Sequence, residues 1–279
     1  MLFGVAYRIT GSVADADDVL QDAWLRWTDV DTSAVAAPRP YLVSTVTNTA
    51  LNRLRSARAR RESYVGPWLP EPVFTGPDLA EDVAAAESVS MALLVVLETL
   101  SPLERAVFVL REAFGFPFGE IARSLGRSEP TVRQLARRAR EHVQARRPRF
   151  QQDRGDQRRV TEAFLAACGG GDLSRLMSLL SPGVSLVSDS GGKAKAPRRT
   201  ITGARKVARF LVAVAGDGAS WKIRFADING RAGIVGYDGG EPVAAILFDI
   251  TEGRIERMHL INNPDKLGAL GMDSAPRVS

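Results

Sequence analysis

The chain has 279 residues, 45% of them apolar, enough to give two or three domains a core each, and it carries a net charge of +5 with a pI near 9.7. That modest basic excess leans towards a polyanionic partner, while a single cysteine, Cys168, and only two histidines, His142 and His259, exclude an intrachain disulfide and a Cys/His zinc site. No apolar run approaches the ~18 residues that cross a bilayer and no signal peptide opens the chain, so a cytoplasmic protein without a membrane partner is expected.

The first clear helix is DADDVLQDAWLRW. Val19, Leu20, Ala23 and Trp27 share one face, and Asp15, Asp18 and Asp22 form a stripe on another. An acidic stripe repels DNA; it suits a basic protein surface, or it is a solvated face on which the helix dipole favours Asp15. In PRPYLVSTVTNTALNRLRSARARRE, Val43, Val46, Ala50, Leu54 and Ala57 make an apolar stripe with Ser44, Asn48, Asn52 and Arg55 opposite. Asparagine amides read base edges, and arginines trailing to Arg61 hold phosphates.

From Glu62 to Glu104 there are eight acids and no Lys or Arg. Such charge segregation marks separate modules. Pro67, Pro70, Pro72 and Pro77 exclude a helix or inner strand from VGPWLPEPVFTGPD, which reads as a linker. Extended, Gly66 to Val83 reaches on the order of 55 Å, so the two DNA-binding halves need not touch.

SPLERAVFVLREAFG opens with a capping box, Ser101 as cap, Pro102 at the first helical position and Glu104 three residues on. GEIARSLG is a short helix closed by Gly126, and Ser128 caps the next. In that last helix Val132, Leu135, Ala136, Ala139 and Val143 share the apolar face. Arg133, Arg137 and Arg140 line one exposed flank, and Thr131, Gln134 and Arg138 the other. Ile121 to Arg140 holds six arginines around a tight turn, the pattern of a helix-turn-helix whose second helix enters the major groove.

Beyond Arg147 an unpatterned basic stretch precedes an α+β pattern. Two short helices divided by GGGD are followed by a strand from Val184 to Ser188, a glycine-lysine loop, a helix from Ala204 to Ala215, and strands with turns at Asn229-Gly230 and Glu252-Gly253. His259 lies in an alternating strand pattern and reads as a hydrogen-bonded sheet residue. Cys168 reads as core.

This layout resembles the extracytoplasmic-function (ECF) sigma factors of RNA polymerase, through AYRITGSVADADDVLQDAWLRW to ARARRE for sigma region 2 and LSPLERAVFVLREAFGFPFGEIARSLGRSEPTVRQLARRAR for sigma region 4. WLPEP (Trp68 to Pro72) and NPDKL (Asn263 to Leu267) narrow the resemblance to the subgroup with a fused C-terminal SnoaL-like domain of nuclear transport factor 2-like fold. A DGGK loop recurs in that subgroup; its nearest equivalent here is Ser190-Gly191-Gly192-Lys193, with Ser for Asp. The resemblance implies a multidomain chain. All-α region 2 spans 1–66, its first helix truncated because the chain begins inside it. An acidic, Pro-rich linker follows (67–82), then all-α region 4 (83–147), a second linker (148–157), an α+β SnoaL-like regulatory domain (158–272) and a tail (273–279).

The resemblance further implies that Asp15, Asp18, Gln21, Asp22 and Trp24 dock on core RNA polymerase. Asn48, Asn52, Arg53, Arg55 and Arg58, with the loop before Tyr41, would hold the opened −10 element of promoter DNA. Arg127, Ser128, Glu129, Thr131, Arg133, Gln134, Arg137 and Arg138 would read the −35 duplex. The acidic linker would thread the polymerase's basic cleft. Trp68, Leu69, Pro70, Glu71 and Pro72, with Gly191, Gly192 and Lys193 and with Asn263, Pro264, Asp265, Lys266 and Leu267, are expected at the seam through which the C-terminal domain regulates in place of a separate anti-sigma factor.

No cofactor, metal or catalytic residue is expected, and nothing identifies a small ligand for the cavity. Two rival readings stay open. One is a one-component DNA-binding regulator with a ligand-sensing C-terminal domain. The other is a cyclase or isomerase tethered to DNA, whose candidate bases Asp189, Asp227, Tyr237, Asp249 and His259 show no catalytic spacing.

Overall fold

The computed structural model describes residues 1–31, 35–75, 90–146, 154–217 and 221–271. Part of the loop before Tyr41, the acidic end of the first linker with the expected start of region 4, most of the second linker and the tail therefore lie outside the described residues. The chain divides into two compact units, Met1–Ser63 with Ala92–Arg147, and Tyr64–Met91 with Pro148–Ser279.

The first unit is helical throughout its described elements. Helices α1 (Leu2–Thr10), α2 (Val13–Thr28) and α3 (Pro38–Arg61) come first. Gly11, at φ 74°, ends α1, and Ser12 Oγ accepts the amide of Asp15 at 3.1 Å to start α2. The apolar stripe of α3 is buried as its spacing demands, Val46, Ala50 and Leu54 completely.

Helices α4 (Met91–Leu97), α5 (Pro102–Phe108, continued by a π turn over Val109–Ala113), α6 (Phe118–Leu125) and α7 (Glu129–Arg146) follow. The capping box forms: Ser101 Oγ accepts from the Glu104 amide at 3.4 Å while Glu104 Oε2 accepts from the Ser101 amide at 3.1 Å. Gly126 is left-handed, at φ 60°, and Ser128 Oγ accepts from the Thr131 amide, so α6 and α7 meet at the expected tight turn. Val132, Ala136, Ala139 and Val143 are buried and Leu135 only partly so. Contrary to the picture of two halves held apart by a tether, α3 packs directly on α5 and α6.

The second unit contains α8 (Arg154–Gly169), α9 (Leu173–Leu179) and α10 (Ala204–Asp217), with strands β1 (Leu180–Asp189), β2 (Ile201–Thr202), β3 (Lys222–Ile228), β4 (Arg231–Asp238), β5 (Glu241–Thr251) and β6 (Arg254–Ile261). Helix α8 thus starts inside the expected second linker. The six strands form one sheet in the order β2-β1-β6-β5-β4-β3, β1 and β6 parallel and the other neighbours antiparallel. Both predicted turns are tight hairpins with positive φ at each central residue, Asn229 (52°) and Gly230 (72°), Glu252 (50°) and Gly253 (72°). Phe164 of α8, Leu176 of α9 and Val207 of α10 meet Leu186, Phe248, Ile255 and Met258 of the sheet in one core. The first part of the linker belongs to this unit: Thr75 donates its amide to Asp227 O at 2.9 Å and Val73 donates to Asn229 Oδ1 at 3.2 Å.

Candidate nucleic-acid interface

Helix α7 turns its arginines to solvent because its only apolar stripe is already spent on the core. Arg127, Ser128, Thr131, Arg133, Gln134, Arg137 and Arg138 are exposed, and Glu129 is half-buried at the helix start. Arg133 Nε donates to Glu129 Oε1 at 3.0 Å, Arg137 lies 3.7 Å from Glu141, and Arg140 bonds to Glu112 at 2.7 Å. Exposed pairs of this kind hold with roughly 0–1 kcal/mol, so a phosphate can displace the carboxylate. Among the described residues Arg127 and Arg138 have no ion pair.

On α3, Asn48, Asn52 and Arg55 are exposed on the predicted face, and Arg55 donates to Asn52 Oδ1 at 3.2 Å. Asn48 is already engaged. Its Nδ2 donates to Ser124 O on α6 at 2.8 Å and to Ser44 O at 2.9 Å, while Ser44 Oγ donates to Ser124 O at 3.2 Å. Helix α3 therefore leans on the helix-turn-helix through the amide expected to read bases.

Two arginines expected at DNA are turned elsewhere. Arg53 bonds to Asp18 at 2.7 Å and Asp22 at 3.1 Å and approaches Asp15 at 4.0 Å, so it clasps the acidic stripe. Burial alone would lower the pKa of Arg53, but those aspartates raise it above the usual value. The reason is geometric: α2 runs alongside α3, and position 53 lies one step round the helix from the Asn48–Asn52–Arg55 face. Arg58 instead donates to the carbonyls of Glu98, at 3.1 Å, and Leu100. Gln21 and Trp24 remain exposed beside the stripe, Trp24 at 64%. An open cleft of about 310 Å³ lies between α2 and α3, lined by Asp22, Arg26, Thr49, Asn52, Arg53 and Ser56.

Arg58 is one strand of a polar seam that the sequence did not announce. The Glu98 carboxylate bonds to Arg61 through one oxygen and to Arg105 through the other. Arg105, fully buried, also donates Nε to Arg8 O at 2.8 Å, and Arg61 donates to Thr10 O at 3.0 Å. Arg8 stacks over Phe114 at 5.0 Å, and its burial pushes its pKa down to about 10. Glu98 thus bridges two of these cations, one on each carboxylate oxygen.

In the second unit the linker meets the end of the sheet. Asp189, completely buried at the close of β1, accepts from Tyr64 Oη at 2.6 Å, Leu69 N at 2.7 Å, Gly191 N at 3.2 Å and Lys266 Nζ at 2.6 Å. Lys266, 6% exposed, also donates to Leu69 O at 2.5 Å and sits 3.9 Å from the Trp68 ring centre and 5.2 Å from that of Tyr64. Asn263 caps the 3-10 turn Pro264–Lys266 and donates to Tyr64 Oη at 2.7 Å. Burial and the Asp189 hydrogen bond push the Tyr64 phenol well above the usual tyrosine range.

Leu69, Pro70, Pro72 and Leu267 are buried here, Glu71 is half-buried, and exposed Lys193 pairs with Asp265 across the same end. Gly191, at φ 57°, lies where a Cβ would meet Asn263 Nδ2 at 2.5 Å, so this position admits glycine alone. Gly192 (φ 75°) packs on Val65. The loop's acid is thus Asp189, one residue before the Ser190 position assigned from sequence. Tyr64 and Asp189 are the seam residues the sequence reading missed; Asp189 was read only as a candidate base, and no local signal joins it to Lys266 across 77 positions.

Of the remaining candidate bases, Asp227 is exposed, and Asp249, His259 and Tyr237 are held in structural bonds. His259 Nε2 lies 3.1 Å from Asp249 Oδ2 with both side chains buried, and Tyr237 Oη donates to Leu270 O at 3.0 Å. Half-buried Cys168 packs against the core, and burial pushes its thiol up to about 11. Among the described residues no cluster of His, Cys, Asp and Glu could hold a metal ion, and no helix is long and apolar enough to cross a membrane.

Comparison with known proteins covers the two helical segments that carry these residues. Residues 1–60 match the family model for Sigma-70 region 2, and residues 90–143 that for Sigma-70, region 4. The chain is 43% identical over 279 residues to the ECF RNA polymerase sigma factor SigJ of Mycobacterium tuberculosis, covering 95% of this chain and 89% of that protein. It is 29% identical over 273 residues to the probable ECF RNA polymerase sigma factor SigI of the same species, covering 96% and 92%. The crystal structure of the M. tuberculosis SigJ superposes with a TM-score of 0.76 at 37% identity, over 99% of this chain and 95% of that one.

Proposed function

Because the chain belongs to the ECF sigma factors, which bind core RNA polymerase and direct promoter-specific initiation, we propose that its structure is the closed form of such a factor, opened on the polymerase. The observation that carries this is the Asn48 amide on the Ser124 carbonyl. Elements read at −10 and −35 are separated by roughly 25 base pairs, on the order of 85 Å of duplex at 3.4 Å per pair. A helix face bonded directly to the helix-turn-helix cannot reach the −10 element while α7 occupies the −35 groove. Opening costs the Asn48 bonds and the Glu98 seam. Docking of the acidic stripe, Gln21 and exposed Trp24 on a basic polymerase surface repays it, with Arg53 released from Asp18 and Asp22 towards DNA. The cleft beside Asn52 is of a size suited to a small ligand or an unstacked base.

The SnoaL-like cone acts through the linker and not as a catalyst. Released, residues 64–90 could extend on the order of 90 Å; with the linker held on the SnoaL-like domain up to Thr75, a stretch of the length that remains could span at most on the order of 50 Å. Gripping Tyr64, Leu69 and Trp68 therefore limits how far regions 2 and 4 can separate, and letting go lifts the limit. This is regulation in cis.

Run-off transcription with purified core polymerase tests both statements. The full chain should give a promoter-specific transcript, and a chain ended after Arg154 should give a different yield on the same template. No association of either with core ends the sigma reading. Equal yields from both remove the cone's regulatory role. Within this reading Arg138→Ala should weaken binding to a −35 duplex several-fold and lower the salt slope by about 0.9, one phosphate contact, as measured by anisotropy over a salt series.

A further inference from the structure

We propose that the cone carries a DNA-backbone-binding surface of its own, made by Lys195, Arg198, Arg199, Arg205, Lys206 and Arg209. All six are exposed. Between Ser190 and Gly216 the chain contains no acid at all. Among the described residues none of the six makes an ion pair, whereas elsewhere on the same domain Arg158 pairs with Glu162 at 3.2 Å and Arg159 with Asp156 at 2.8 Å. A solvated face normally mixes signs; this one does not.

The side chains project from a fixed frame. Asn262 Nδ2 donates to Lys195 O at 3.1 Å and Ser188 Oγ to Pro197 O at 2.7 Å, which holds the loop at two points. Beyond it β2 is locked to β1 by the pairs Ser185–Thr202 and Leu186–Ile201, and Gly203 N donates to Val184 O at 2.8 Å just before α10. Arg205, Lys206 and Arg209 then share one exposed side of α10 at helical spacing. No acidic residue stands in the first turn of α10, and Arg205 and Lys206 sit where the helix dipole disfavours cations. An arrangement that concentrates unpaired positive charge at some cost and holds it on an ordered backbone is suited to a regularly spaced polyanion, with arginine forks matching phosphate oxygens.

DNA is favoured over the chain's own acidic linker because arginine forks match phosphate oxygens and, among the described residues, no linker group bonds to any of the six side chains. The last described linker residue, Thr75, is bonded at the β3–β4 turn, while the cationic surface flanks β2 at the opposite edge of the sheet. Five strand spacings separate those edges, roughly 24 Å at 4.8 Å each.

The inference takes from the family reading only that DNA is a partner, and its test needs neither polymerase nor promoter. The full chain is titrated against a labelled 30-base-pair duplex of random sequence by fluorescence anisotropy over a salt series. The variant Arg198→Ala/Arg199→Ala/Arg205→Ala/Arg209→Ala should bind at least tenfold more weakly at low salt, its slope reduced by about 2–4. A control of equal charge loss on the same domain, Arg158→Ala/Arg159→Ala/Arg175→Ala/Arg254→Ala, should change the slope by less than 1. An unchanged slope in the first variant, or equal losses in the two, overturns the proposal. It is also overturned if neutralising Asp78, Glu81, Asp82 and Glu87 raises affinity in the parent and abolishes the difference between parent and first variant, because the surface then serves the linker.

Discussion

Glu98→Ala is expected to destabilise the N-terminal unit by about 3–5 kcal/mol, because it strands two arginines, one of them completely buried. Arg105 would keep the Arg8 carbonyl, at 2.8 Å, and Arg61 the Thr10 carbonyl, at 3.0 Å, both neutral. Arg105, completely buried, cannot recover water without movement of the helices around it. Burial already holds the Arg61 pKa below its usual value, which shows how little solvation the guanidinium has to fall back on. Glu98→Gln retains a hydrogen-bond acceptor and loses the charge, so it should cost less, about 1–3 kcal/mol. Urea unfolding followed by circular dichroism measures both, and an alanine cost under 1 kcal/mol would show that the seam is not closed in solution. In the proposed mechanism the same variant should also need less polymerase for half-maximal transcription, provided it is assayed well below its melting temperature. Stability lost from the closed form is cost removed from opening.

The second large effect is expected at Lys266. Lys266→Met removes the cation from a completely buried carboxylate and withdraws the donor from Leu69 O, and about 3 kcal/mol of linker attachment should go with it. Asp189 keeps the Tyr64 hydroxyl and two backbone amides, so the unit should still fold. The readout is release of the linker. Chymotrypsin should cut after Tyr64 or Trp68 in the variant under conditions where the parent is resistant. Asp189→Asn/Lys266→Met should be less destabilised than the sum of the single changes by 1–3 kcal/mol, since a neutral amide no longer needs the ammonium group. If the double variant equals that sum, the two groups are not coupled and the buried ion pair is not what holds the linker.

Sequence and structure agree wherever a property depends on near neighbours. The stripe Val43, Val46, Ala50, Leu54 and Ala57 is buried because a helix of 3.6 residues per turn has only one way to present it. The capping box at Ser101, the stop at Gly126 and the two positive-φ hairpins are set by residues no more than a few positions apart. From these the helix-turn-helix, the acidic stripe and the change to an α+β domain after Arg147 could all be read. The exposed faces were also visible, since Asn52, Arg55, Arg138 and Trp24 stand where the period places them.

Only tertiary structure decided which charge meets which. Helix periodicity says that Arg53 and Arg58 leave the apolar stripe; it does not say that one turns to Asp18 and Asp22 while the other turns to the carbonyls of Glu98 and Leu100. Asn48 finds Ser124 across 76 positions, and Lys266 finds Asp189 across 77. Such pairs join segments that chain-local forces leave independent, and any of several arginines would satisfy the sequence pattern equally well. The choice is made by packing, because α3 settling on α6 and the linker settling on the end of β1 exclude water there, and a polar group without water must take the partner that lies within reach.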